Sequence, residues 1–259
     1  MPARHRKESA AAPPGYFAWE AAGLRWLAAA QQERGGAAVV EVLDAGSDHL
    51  DLTLLSPAPP TAAAAERLGR GLAATHAAGA TAFGCGPPGW AGDGWLGPLS
   101  EPLPLVLGAW DGWGTFYAQA RIAPLLVEAG RRGVLDAAGV AVLERLAERA
   151  ADGAFDTGEP PARLHGDLWS GNVLWTELDA VLIDPAAHGG HREADLAMLA
   201  LFGAPHLDRV LAAYDEAAPL ADGWRERVSL HQVHPLLLHA VLFGGSYAAQ
   251  TVRAARRYV

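Results

Sequence analysis

The sequence predicts an α+β fold, with a small strand-bearing N-terminal part and a large, mainly helical remainder. Three observations predict it. Two short strand-like segments, residues 39–43 (VVEVL) and 49–55 (HLDLTLL), precede a proline-rich break at 56–60. Helical periodicity dominates from Thr61 onward. One short hairpin interrupts the helices, formed by the apolar runs 173–175 and 181–183 around a turn at 176–179.

Composition bounds the rest. A chain of 259 residues suits one large domain or two small lobes with ample core. The net charge of −9 argues against non-specific nucleic-acid binding, which neutralises phosphates with Lys and Arg. Cys85 is the only cysteine, so an internal disulfide is excluded, and a reducing cytoplasm is the expected setting. Residues 1–9 are charged and no apolar stretch follows, so no signal peptide is expected. No uncharged run of about 18 apolar residues is present to span a membrane. No internal repeat is visible.

Taken in order, residues 1–15 carry Arg4, Arg6 and Lys7 and then Ala-Pro-Pro-Gly, the composition of a basic tail. Residues 17–32 read as a helix with Phe17, Ala21 and Leu24 on one face, ended by Gly35 and Gly36. Asp44 to Asp48, with Gly46, joins the two strands. Residues 61–78 form an amphipathic helix with Leu68, Leu72 and Thr75 inward and Glu66, Arg67 and Arg70 outward, capped by Thr61. Residues 79–113 are rich in Gly, Pro and Trp and long for a loop. Trp90, Trp95, Trp110 and Trp113 suit either stacking on a sugar or pinning that loop to the helices. Segments 114–132, 136–152, 193–202, 205–217, 223–233 and 236–258 read as helices. His188 and His191 are a weak zinc signal, with no third ligand at suitable spacing. His231, His234 and His239 read as packing or pocket lining.

The chemistry concentrates in RLHGDLWSGNVLWTELDAVLIDPAAHGGHREAD, residues 163–195. Asp167 sits on the loop entering the hairpin; Asn172 and Asp184 sit at its open end. Three oxygen-bearing side chains therefore converge on one rim. Phosphoryl transfer needs such a set: a carboxylate to orient the attacking hydroxyl and take its proton, and an amide oxygen with a second carboxylate to hold Mg²⁺ against phosphates. A lone HGD or a lone acidic residue at a strand end is commonly a solvated turn. The two in order, with a hairpin between them, are much more specific. The Asp167-to-Asn172 spacing equals that of the protein-kinase catalytic loop, and Asp184-Pro185 stands where those enzymes carry Asp-Phe-Gly.

HGDLWSGN followed by IDPAAHGGHREADLAM resembles the fructosamine kinase (ketosamine 3-kinase) family, in the small-molecule branch of the protein-kinase-like fold. The resemblance is strong over residues 163–202 and looser elsewhere. It implies a truncated N-terminal nucleotide-binding lobe over 1–56 and a helical C-terminal lobe with the catalytic loop and acceptor site over 57–259. It implies ATP and Mg²⁺ as cofactors, and transfer of the γ-phosphoryl group to the C3 hydroxyl of a ketosamine. That acceptor is a small molecule or a glycated lysine, and the phosphorylated product decomposes, which amounts to deglycation. Asp167 is the expected base, and Asn172 and Asp184 the Mg²⁺ ligands. Phe17-Ala18-Trp19-Glu20-Ala21-Ala22-Gly23-Leu24 matches a family helix whose Glu20 pairs with a phosphate-binding lysine, and Lys7 falls where that lysine belongs. Residues 56–60 fall at the inter-lobe hinge. Arg192, Glu193 and Asp195 are expected to pair internally and prop the Mg²⁺ loop, His76 to cap or pack, Arg121 to hold an acidic partner, and Tyr214 and Asp215 to lie near the acceptor. Only six residues precede Lys7, so the glycine-loop hairpin of relatives is expected to be missing. A monomer without nucleic-acid or membrane partners is expected. The alternatives are a kinase of another hydroxylated molecule, such as an aminoglycoside or a choline-like alcohol, and a nucleotide-binding pseudokinase.

Overall fold

The computed structural model describes residues 3–259. Strand β1 (Arg4–Glu8) leads to helix α1 (Tyr16–Arg34), then to strands β2 (Ala38–Val39), β3 (Val42–Ala45) and β4 (His49–Thr53). Helix α2 (Ala62–Ala77) follows, then the hairpin β5 (Gly94–Leu96) and β6 (Leu103–Leu105). Helix α3 (Trp113–Phe116) runs into a π-helical turn over Tyr117–Ile122, then α4 (Ala123–Arg132) and α5 (Ala137–Ala151). Strands β7 (Ala162–Leu164), β8 (Val173–Trp175), β9 (Ala180–Leu182) and β10 (His188–Gly190) carry the catalytic strip. Helices α6 (Glu193–Phe202), α7 (Leu207–Ala217), α8 (Trp224–Phe243) and α9 (Tyr247–Ala255) complete the chain. No helix among the described residues is long and apolar enough to cross a membrane.

β1 and β3 flank β4 in an antiparallel sheet, with Lys7 opposite Leu50. Leu50 and Leu52 pack on Phe17, Ala21 and Leu24, so α1 covers one face of that sheet. Composition alone reads β1 as a tail; what orders it is Asp51 on β4. That buried carboxylate receives Arg4 at 3.1 Å and Arg6 at 2.6 Å, so the basic residues are fixed by the ladder and by charge together.

The single strand expected at 39–43 is divided. β2 leaves the first sheet and pairs parallel with β9, while β3 pairs with β4. At the switch, the Val40 N–H donates to Leu182 O (3.0 Å) and Glu41 O accepts from the Thr53 N–H (3.0 Å), so each backbone group finds a partner in a different sheet. Thus β9 is the central strand of a β2-β9-β8 sheet that joins the N-terminal part to the catalytic hairpin.

The helix starts follow their caps: Thr61 accepts from the Ala64 N–H (3.1 Å) and Asp136 from the Gly139 N–H (2.7 Å). The helix break expected near Pro235 is absent. α8 runs through that residue and ends at Gly244 and Gly245, both with positive φ. Proline removes a donor from the helix ladder. In the preceding turn the Tyr117 hydroxyl donates to Leu230 O at 2.7 Å, which engages a carbonyl from outside the helix.

Leu182 is fully buried at the centre of the joining sheet. Leu182→Ala is expected to destabilise the protein by about 2–5 kcal/mol, read as a lowered urea midpoint with an unchanged slope.

Candidate active site

The catalytic strip is held between two ladders. β7 pairs with β10 on one side, Leu164 opposite His188. β8 pairs with β9 on the other, Val173 opposite Leu182. Cross-links tie the connecting loops: Ala186 N–H donates to His165 O (2.9 Å) and Ile183 N–H to Asn172 O (3.1 Å). The loop from His165 to Asn172 and the segment from Asp184 onward are therefore adjacent by backbone register. Gly166 is required at this approach. Its φ is +82°, and a Cβ there would stand 2.1 Å from Ala186 O.

The Asn172 amide nitrogen donates to Asp167 O (2.7 Å), to Asp167 Oδ2 (3.1 Å) and to Asp184 O (3.3 Å). Its amide oxygen stays uncommitted among the described residues. Lys7 Nζ donates to Glu20 Oε1 at 2.7 Å and to Asp184 Oδ1 at 2.6 Å. Burial works against the Lys7 charge, and Glu20 and Asp184 outweigh it, so its pKa is raised. Burial pushes the Glu20 carboxyl up, with Lys7 pulling the other way. Asp184 has a φ of 55°, the left-handed region that a side chain other than glycine rarely occupies. Backbone of that kind collects at active sites and ligand clamps.

Asp167 is the most perturbed of these groups. Burial pushes its carboxyl up to about 7; the Asn172 N–H opposes, and Asp184 and Asp195 add to the rise. Such a value places a carboxylate near the working pH of a general base.

Lys7, Glu20, Asp167, Asn172 and Asp184 all line one cleft, with about 1550 Å³ of open space including its solvent mouth. Asp167 also belongs to the wall of a second, much narrower recess, lined on its far side by helices α3, α6 and α8 and the π-helical turn. The site thus has a wide compartment lined by Lys7 and a smaller one meeting it at Asp167. The wide compartment offers hard oxygen donors, Asn172 Oδ1 and the Asp184 carboxylate, of the kind that Mg²⁺ takes.

Behind the loop, Asp195 accepts from the backbone N–H of His165 (2.7 Å) and of Gly166 (3.0 Å), and contacts the His76 ring at 3.2 Å. The other His76 nitrogen meets the Tyr214 hydroxyl at 2.8 Å. His76 therefore orders the loop through Asp195. Arg192 and Glu193 do not pair with each other: Arg192 grips Glu159 at 2.6 Å and Glu193 takes Arg227 at 2.5 Å.

Several sequence expectations change. Arg121 has no acidic partner among the described residues; its Nη1 donates to the carbonyls of Val106 and Ala120, and its guanidinium lies over the Phe116 ring. Tyr214 is fully buried on His76, and Asp215 caps the Leu220 N–H on a surface away from the cleft. Packing of α7 on α2 turns Tyr214 inward, while Asp215 stays exposed. Three of the four tryptophans are packed: Trp90 on Trp19, Trp110 on Phe116 and Trp113 on Tyr117. Trp95 lines the cleft and its carbonyl accepts from the Trp19 indole. His188 is turned to Ala186 O, while His191 meets Glu193 and His231, a grouping that sequence spacing hides. Both Glu193 oxygens are already held by Arg227, so that trio is an ion-pair core.

Comparison with known proteins fits this geometry. A family model described as fructosamine kinase matches residues 6–259. A Thermobifida fusca crystal structure assigned as a fructosamine-3-kinase is 48% identical, with a TM-score of 0.88, covering 98% of this chain and 85% of its own. A Synechocystis protein assigned as a ketoamine kinase is 33% identical over 90% of this chain and 75% of its own length. Several further relatives with that assignment align over only about half of their length. The aminoglycoside phosphotransferase APH(2")-IIa, solved with streptomycin and ATP, shares the fold at 11% identity, with a TM-score of 0.64 over 99% of this chain and 87% of its own. The fold is that of the protein-kinase-like phosphotransferases.

The raised Asp167 value carries a stability consequence. Its folded value lies above the ordinary 3.8, so the fold is penalised as pH rises through the interval up to about 7, and fully so above it. Asp167→Asn is expected to abolish turnover while raising the melting temperature, with a larger gain at pH 8 than at pH 5. Paired activity assays and thermal melts at the two pH values check this.

Proposed function

Because the chain belongs to the fructosamine kinase family, we propose that it moves the γ-phosphoryl group of ATP onto the C3 hydroxyl of a ketoamine, free or carried on a glycated lysine. The phosphorylated product then decomposes and releases the amine, which is deglycation. The observation that carries the reading is that Lys7, Glu20, Asp167, Asn172 and Asp184 line one cleft.

The contacts support a role for each group. Residues 1–56 supply the nucleotide side, and residues 57–259 the catalytic loop and the acceptor side. Glu20 holds Lys7 at 2.7 Å and aims its ammonium into the cleft, where it meets phosphate oxygens. Asp167 accepts the proton of the acceptor hydroxyl as that oxygen bonds to the γ-phosphorus and the bond to the β-phosphate oxygen breaks, leaving ADP. Asn172 orients Asp167 through its amide N–H and keeps its oxygen for a cation. Mg²⁺ bound by Asn172 and Asp184 would neutralise phosphate charge during transfer. In this chemistry the protein contributes mainly position and fixed charge.

The test is ADP formation with Mg-ATP and a fructosamine, with the product located by phosphorus NMR. Phosphate on C3 is expected, and no turnover on any ketoamine would reject the reading. Lys7→Ala is expected to lower kcat/KM for ATP by roughly a hundredfold or more. An unchanged value would remove Lys7 from the phosphate site.

A further inference from the structure

The recess that meets the cleft at Asp167 contains a charge that the protein does not answer. Arg121 is the only arginine or lysine on its wall. The residue is 3% exposed. Nη1 is satisfied by the carbonyls of Val106 and Ala120, each at 2.9 Å, and the guanidinium stacks 4.5 Å from the Phe116 ring centre. Nη2 has no hydrogen-bond partner among the described residues. None of the ion pairs formed among those residues includes Arg121. Burial pushes its pKa down to about 9, and Asp93 is the only carboxylate pulling it back. The group thus stays charged at neutral pH.

A buried cation with an unmet donor is expensive, and such groups are retained where something else meets them. Two features tie this one to a ligand rather than to the core. It sits in a π-helical turn, a widening of the helix that recurs at functional sites. It also shares a recess with Asp167, the residue assigned to the reacting hydroxyl. The other carboxylate on that wall, Asp195, is committed to the His165 and Gly166 N–H groups and to His76. The neighbouring His188 is kept neutral by burial, its pKa down to about 3.

We propose that Arg121 receives an anionic oxygen group of the acceptor, a carboxylate, and so selects ketoamines formed on free amino acids, in which amine and carboxylate share one carbon. The inference rests on the ketoamine reading above and names the class of acceptor within it. A carboxylate carries one negative charge, which matches the single charge of Arg121. A phosphate dianion would leave excess negative charge beside Asp167 and Asp195 and is disfavoured for that reason.

Three acceptors test it with Mg-ATP: fructosyl-glycine, its methyl ester, and a 6-phosphorylated fructosamine without a carboxylate. The wild-type KM for the acid is expected to be about tenfold or more below that for the ester, the scale of one charge-assisted hydrogen bond. Arg121→Met is expected to raise the acid KM at least tenfold more than the ester KM, and Arg121→Lys to recover part of the difference. Equal wild-type KM values for acid and ester overturn the proposal, as does an equal loss on both in Arg121→Met, which would make Arg121 a purely structural residue. Preference for the phosphorylated acceptor over the acid overturns the carboxylate assignment. Where Arg121→Met does not fold, the wild-type comparison of acid and ester decides alone. Absence of turnover on all three rejects the ketoamine reading and this inference with it, whereas turnover of all three without preference rejects this inference only.

Discussion

The catalytic loop hangs on one buried carboxylate. Asp195 is 2% exposed and receives two consecutive backbone N–H groups of the loop together with the His76 ring. Burial opposes its charge, yet the donors from His76 and the loop outweigh it and hold its pKa below the usual carboxylate range. Its place in the first turn of α6 adds the partial positive charge of a helix start. With His165 and Gly166 fixed in this way, the next residue, Asp167, has little freedom. Asn172 then holds it twice, by its backbone oxygen and by its carboxylate.

A second constraint joins the parts. Lys7 on β1 touches Glu20 on α1 and Asp184 just beyond β9, so one ammonium connects the first sheet, its covering helix and the catalytic hairpin. β2 makes the same connection through backbone bonds to β9. The N-terminal sheet is therefore registered on the catalytic strip twice, by charge and by ladder. That registration suits phosphoryl transfer, in which the group that holds the phosphates and the group that takes the proton must be correct relative to each other.

Much of this was legible in the sequence, because the signals were local. The strip from His165 to Asp184 announces a loop, a hairpin and three oxygen donors within about one supersecondary unit. Thr61 and Asp136 mark helix starts by their own capping chemistry. What was hidden depends on distant partners. Nothing near Val39 tells that it pairs with Leu182 rather than with its own hairpin, since a two-residue parallel pairing leaves no periodic trace. Pro235 reads as a stop because the sequence does not show the buried surroundings that keep α8 continuous. Arg121 reads as an ion-pair residue because arginines usually are; its lack of a carboxylate is a property of the assembled recess. Tyr214 and Asp215 were misplaced for the same reason, since a helix face is chosen by what packs on it.

The three acidic residues of the strip show how environment, not residue type, divides labour. Asp195 is given three donors and is held ionised. Asp184 meets Lys7, and its backbone takes an unfavourable left-handed conformation that turns it to the cleft. Asp167 receives a single side-chain donor, the Asn172 amide, in a half-buried position at the cleft wall, and burial pushes its pKa up to about 7. The asparagine is what makes this arrangement work. The amide donates to Asp167 through its N–H and leaves its oxygen without a partner among the described residues. A carboxylate at position 172 could only accept; it would repel Asp167 and push its proton affinity still higher. An apolar residue there would leave Asp167 without any side-chain donor. On the proposed reading, the pairing of one aspartate with one asparagine sets the base, a carboxyl that burial pushes up to about 7 while the Asn172 N–H opposes the rise.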